Sequence, residues 1–285
     1  MQDLGSRPYL RAGVMLTLAF FVFLYSSCTN ITMQNYDETM DAEMAAEKLA
    51  LSVKPSYIAN FSGIDWIVRR NSTPEGPQNN VFAGKGVAVS FNKDRSVTLK
   101  VAQKNGTWYG SELYMTRGLG YGTYIFQLNE SPFELDPNIV LGLFTYSPGE
   151  AYYHREIDIE FSAWGVSGAP VKGQFVVQPY YQRGNMKTFA DNHLSGPVSC
   201  AFTWTAKAVS FLAWSGHGPM PAPGDPSVIA SWAFRNSARI PKPGDEAVHL
   251  NLYLAHGSVP PAGTGRLDIT VKSFTFFAEN PMTSL

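Results

Sequence analysis

The chain has 285 residues, with 22 Lys and Arg against 23 Asp and Glu, so its net charge of -1 gives no electrostatic reason to expect nucleic acid as a partner. Charged residues are only 16% and aromatics 13%, with 25 Gly and 19 Pro. That profile fits a many-stranded all-β protein rich in turns rather than a helical bundle, in one large domain or two small ones.

At the N-terminus Arg7 and Arg11 precede an apolar run from Ala12 to Tyr25, followed by Ser26-Ser27-Cys28. The run is about 14 residues, shorter than the roughly 20 that span a bilayer, and reads as the core of an export signal over residues 1–28. Cys28 directly behind it resembles the lipid-modified cysteine of bacterial lipoproteins, with Tyr25 where that motif usually has Leu. An ordinary cleaved signal or an uncleaved anchor are the alternatives. Residues 29–54 are polar and then rich in Ala, Met and Glu, which predicts a tether, part of it helical. If Cys28 carries lipid, Cys200 stands alone and reads as a small buried hydrophobe.

From about residue 55 strand patterns dominate. Val87–Phe91 and Val97–Val101 flank a hairpin loop at Asn92–Ser96, and Gly118, Gly120 and Gly122 lead into a strand at Thr123–Leu128. An apolar strand at Leu141–Tyr146 precedes the densest chemistry in the chain, Glu156-Ile157-Asp158-Ile159-Glu160-Phe161. In a strand, alternate residues share a face, so Glu156, Asp158 and Glu160 lie on one side and the apolar three face a core. Like charges on one sheet face repel, which makes the pattern costly unless it is used.

The Cα atoms of Glu156 and Glu160 would be roughly 13 Å apart along the strand. On a curved sheet their carboxyls can lean to the roughly 5–5.5 Å of a retaining glycosidase, with Asp158 between them sharing a proton. A solvated acidic strand face, or calcium ligands, is the competing reading. Trp164 has the same parity as the acids, so a continued strand would put it on their face as a platform for sugar rings.

Further strands are predicted at Gln174–Gln178, Ser199–Trp204, Val209–Trp214, Val248–Ala255 and Arg266–Phe277, with surface loops at 215–226 and 257–265. In Val248–Leu254 the leucines fall on one face and His249, Asn251 and Tyr253 on the other. Asn251 and Tyr253 are thereby candidate substrate contacts or ordinary sheet surface. Trp108, Trp204 and Trp214 read as core. His154 and His193 have no partner at metal-ligand spacing, and no P-loop, dinucleotide fingerprint or nucleophile elbow occurs.

The acidic hexapeptide resembles the Glu-x-Asp-x-Glu signature of family 16 glycoside hydrolases, in the unbulged form typical of lichenases and xyloglucan transglycosylases. The similarity runs over most of residues 80–280, through Gly110-Ser111-Glu112, Gly120–Tyr124, Leu143–Tyr146, Phe202-Thr203-Trp204, Leu250–Tyr253 and Ile269–Phe274. It implies a concanavalin-like β-jelly-roll of two curved antiparallel sheets over residues 55–285, with Glu156 as nucleophile, Glu160 as general acid/base and Asp158 tuning them. It also implies substrate contacts from Glu112 and from Gln178 or Tyr180, the latter two standing near a sugar-contacting Asn of the family. No cofactor is required by it, and a structural calcium is common in the family, without ligands assigned here.

The chain departs from the family at Arg155, which either lowers the pKa of Glu156 or forms a salt bridge, and at Ser210–Gly216, which lacks the usual Val-Asp-Gly turn. The expectation is a monomeric, exported, lipid-anchored retaining endo-glycosidase acting on a β-linked glucan or galactan. A transglycosylase with the same residues and a non-catalytic carbohydrate-binding envelope protein are the alternatives.

Overall fold

A computed structural model describes residues 57–190, 195–257 and 259–279. The expected signal segment, Cys28, the 29–54 tether and His193 lie outside the described residues. Alternating strand sequences build two main sheets. The eight-stranded sheet contains β1 (Ile58–Phe61), β2 (Ile64–Val68), β7 (Ser111–Met115), β9 (Ile139–Tyr146), β10 (Ile157–Phe161), β11 (Gly173–Val177), β12 (Met186–Phe189) and β16 (Ala247–Leu254). The seven-stranded sheet contains β3 (Val89–Phe91), β4 (Val97–Lys100), β8 (Gly122–Leu128), β13 (Val198–Trp204), β14 (Val209–Ser215), β15 (Val228–Phe234) and β17 (Asp268–Ala278). A small ribbon joins β5 (Ala102–Lys104) to β6 (Thr107–Tyr109).

Strand order is β1-β2-β7-β16-β9-β10-β11-β12 in the first sheet and β15-β14-β13-β8-β17-β4-β3 in the second. Every pairing between the strands is antiparallel, and strands adjacent in a sheet are often far apart in sequence, as in a jelly roll. The predicted fold class is therefore the observed one. The predicted strands recur with ends shifted by one or two residues, while β1, β2, β5, β6, β7, β12 and β15 had no clear sequence signal.

The core lies between the sheets. Ile157, Ile159 and Phe161 of β10 join Leu141 and Leu143, Leu250, Leu252 and Leu254, Phe175 and Val177 in one cluster with Phe126, Phe202, Phe211 and Phe274 of the opposite sheet. Cys200 and Trp204 are in it, Trp214 is buried, and Trp108 packs against its margin, as their apolar settings predict. This packing forces the alternate residues of β7, β9, β10, β11 and β16 onto the outer face of the eight-stranded sheet.

Candidate active site

Register across the sheet assembles the outer face in rows. Glu112 lies opposite Asn251, Asn251 opposite Gly142, Gly142 opposite Glu160, and Glu160 opposite Gln174. In the next row Tyr114, His249, Phe144, Asp158 and Val176 follow one another across the same strands. Glu156 stands just before β10 and its carbonyl accepts a hydrogen bond from the Gln178 amide at 3.1 Å, which keeps it in line with the other two acids.

Asp158 is the buried member of the trio, 2% exposed. Burial raises its pKa well above the carboxylate range, and the charges of Glu156 and Glu160 and a hydrogen bond shared with Glu156 push the same way. Gln178 Nε2 donates to Asp158 Oδ2 at 3.0 Å, and Gln178 Oε1 accepts from the Tyr180 backbone N–H at 2.8 Å. The second bond fixes which way the Gln178 amide faces. Glu160 is half-buried; burial raises its pKa, partly offset by a 2.6 Å hydrogen bond from Gln174 Nε2 to Oε2. Asp158 and Glu160 are thus both shifted toward the protonated form, Asp158 the more strongly.

The remaining predicted residues fall out unevenly. Asn251 is buried on this face, and its Oδ1 has no hydrogen-bond partner. It lies across Gly142, where a Cβ would sit 2.4 Å from Oδ1, so only glycine admits this side chain beside Glu160. Tyr253 is buried with Phe82, Val140 and Ala255, and its pKa is raised by burial first and then by the charges of Glu160, Glu156, Asp158 and Glu112. Tyr180 is 60% exposed beside Gln178.

Glu112 is not an open contact. It is buried in an ion pair with Arg69 at 2.7 Å and a 2.7 Å hydrogen bond to His249 Nδ1. Burial alone would raise its pKa, but the Arg69 charge and the His249 bond outweigh this and hold it at about 2. The His249 ring stacks between Tyr114 and Phe144, at centroid distances of 5.3 and 5.0 Å.

Trp164 departs from its prediction. The strand ends at Phe161, and Trp164 sits in a turn at φ 51°, its N–H bonded to Ser162 Oγ and its carbonyl to His256. Strand parity therefore does not place it on the acid face, although its ring is 36% exposed. Arg155 is also resolved between its two readings. Its guanidinium pairs with Asp245 at 3.4 Å and bonds the Lys242 carbonyl at 3.0 Å, so it forms the salt bridge.

Arg69, His249, Gln174 and Gly142 were absent from the sequence-level site. Only His249 had a signal, its place on the polar face of its strand. Tyr152, Tyr153, His154 and Arg155, directly before Glu156, all have positive φ, between 51° and 64°. Each left-handed L-residue costs roughly 1–2 kcal/mol, so four in succession persist only if their surroundings hold them. Among the described residues no group of three or more His, Cys, Asp or Glu side chains could hold a metal ion.

No family model and no curated protein sequence matches the chain. Solved structures do. Bacillus licheniformis β-glucanase superposes with a TM-score of 0.57 at 16% identity, covering 80% of this chain and all of that one. A family 16 glycosyl hydrolase from Mycobacterium smegmatis gives 0.54 at 17% identity, covering 79% and 100%. The Bacteroides ovatus mixed linkage glucan PUL GH16, in complex with a G4G4G3G product, gives 0.56 at 8% identity, covering 79% and 98%. The described jelly roll is the fold of these family 16 structures.

Proposed function

We propose that this chain is a divergent family 16 retaining endo-glycosidase that hydrolyses internal linkages of a β-linked polysaccharide, with β-glucan the favoured class. The observation that carries the reading is the acid trio on one sheet face, its middle member buried, raised in pKa and bonded to Glu156, and its third member raised in pKa as well. A binding surface has no use for three carboxyls crowded on one face, two of them raised in pKa by burial.

In the first step Glu160 protonates the departing glycosidic oxygen while Glu156 attacks the anomeric carbon, giving a covalent glycosyl-enzyme. Asp158 donates its proton toward Glu156 in the resting state and stabilises the returning carboxylate as the intermediate breaks down. Gln178, tied back to the Tyr180 amide, keeps Asp158 in place. Glu160, now ionised and bonded by Gln174, takes a proton from a water whose oxygen bonds to the anomeric carbon as the Glu156–sugar ester bond breaks, and the sugar leaves with retained configuration. The similarity of fold to β-glucanases supports the substrate class.

The test is reducing-end release from a panel of β-glucans and galactans by a 52–285 fragment, beside Glu156→Gln. Turnover of one polymer that is lost in the variant supports the reading. Binding without turnover in the unaltered protein refutes it and leaves a carbohydrate-binding module, and transfer to an added oligosaccharide acceptor would mark a transglycosylase. We further propose export with a lipid on Cys28; mass spectrometry of the full chain and of Cys28→Ser checks it.

A further inference from the structure

Glu156 stands outside the regular ladder of β10, so the peptide unit that precedes it sets the direction of its side chain. That unit ends the left-handed run Tyr152–Arg155. The run is held to the end of β9 and to Ser147 just after it by three bonds: the Ser147 amide to the His154 carbonyl at 2.7 Å, His154 Nδ1 to the Ser147 carbonyl at 3.0 Å, and Thr145 Oγ1 to the Arg155 carbonyl at 2.9 Å. Its tie to the 242–246 segment is the Arg155 side chain. Nε donates to the Lys242 carbonyl at 3.0 Å, Nη1 pairs with Asp245 at 3.4 Å, and buried Glu246 lies 4.0 Å away. Asp245 Oδ1 also accepts from Ser147 Oγ at 2.6 Å, closing a loop back to β9. The guanidinium lies against Gly244, where a Cβ would be 2.5 Å from Nε.

We propose that Arg155, latched onto the Lys242–Glu246 segment over Gly244, is a positioning residue that holds the left-handed run and thereby aims the Glu156 carboxyl at the anomeric carbon. A run of left-handed L-residues relaxes toward right-handed conformations once released, and that relaxation turns the peptide on which Glu156 is carried. The contact needs both the forked guanidinium and the bare Cα of Gly244, so either can be removed separately.

The inference rests on the glycosidase reading, and its test separates the two. Arg155→Ala and Gly244→Ala are compared with the unaltered protein by steady-state kinetics on the polymer it cleaves. Hydrogen exchange of the amides between Tyr153 and Ile157 is followed alongside. Gly244→Ala keeps every charge and displaces only the guanidinium, so it serves if Arg155→Ala does not fold. Both variants are expected to lose about 100-fold in kcat, the order of effect of an ångström-scale misplacement, with KM within about threefold. Exchange at Glu156 should rise, and millimolar guanidinium should partly restore Arg155→Ala. Unchanged kcat, or unchanged exchange at Glu156, in both variants overturns the latch. If the unaltered protein cleaves no polymer the glycosidase reading fails, and exchange alone then decides whether Arg155 holds Glu156.

Discussion

Replacing Gln174 by Met removes the donor that stands 2.6 Å from Glu160 Oε2 and keeps the side chain's length and volume. This bond favours the charged carboxylate and opposes the burial that raises the Glu160 pKa. A hydrogen bond to an ionised group contributes roughly 1.5–3 kcal/mol. Glu160 is partly open to solvent, so the lower end applies, and at about 1.4 kcal/mol per pH unit the loss raises its pKa by about 1. Glu160 must be protonated to assist leaving-group departure, so activity is lost as pH rises through its pKa. The alkaline limb of the kcat profile should therefore move about one unit upward in Gln174→Met. The assay is reducing-end release at saturating polymer between pH 4 and 10, with circular dichroism confirming the fold at each end. A limb that stays in place or moves downward would refute the assignment of Glu160 as the acid and of Gln174 as the group that tempers it.

Asp158→Asn mimics the protonated acid in both of its hydrogen bonds, so it should leave thermal stability at neutral pH unchanged or slightly higher while lowering kcat by tens to hundreds of fold; calorimetry and kinetics together check this. Glu112 has a folded pKa of about 2 against 4.5, so its contribution of about 3 kcal/mol is present above pH 4.5 and is lost as pH falls toward 2. Glu112→Gln should flatten the stability profile over that window in denaturant melts. Gly142→Ala should cost about 1–3 kcal/mol by overpacking against Asn251, read as a lower midpoint in denaturant melts. Asp136 accepts backbone N–H bonds from Asn138, Ala262, Gly263 and Thr264, so Asp136→Ala should lower Tm by several degrees without changing the pH profile.

Strand identity and facing are local properties, and the chain spells them out. The two-residue alternation of Glu156–Phe161 and of Val248–Leu254 is enough to send Ile157, Ile159 and the leucines inward and the acids, His249 and Asn251 outward. The turn-rich composition was likewise enough for the all-β class. Where the local period stopped, the reading stopped with it. Trp164 was assigned to the acid face by a parity that ends at Phe161, because the chain turns into a left-handed conformation before reaching it.

The partners of the acids were decided by the tertiary structure alone. Gln174 and Gln178 meet Glu160 and Asp158 because the register of β11 on β10 brings together residues 14 and 20 positions apart. Arg69 reaches Glu112 from 43 residues away, and Arg155 meets Asp245 across 90. Electrostatic roles depend on burial and on such partners, neither of which is a function of nearby sequence. Sequence therefore determined which carboxylates share a face. Only the packed sheets decided which of them is buried, which way its pKa moves, and what holds each one still.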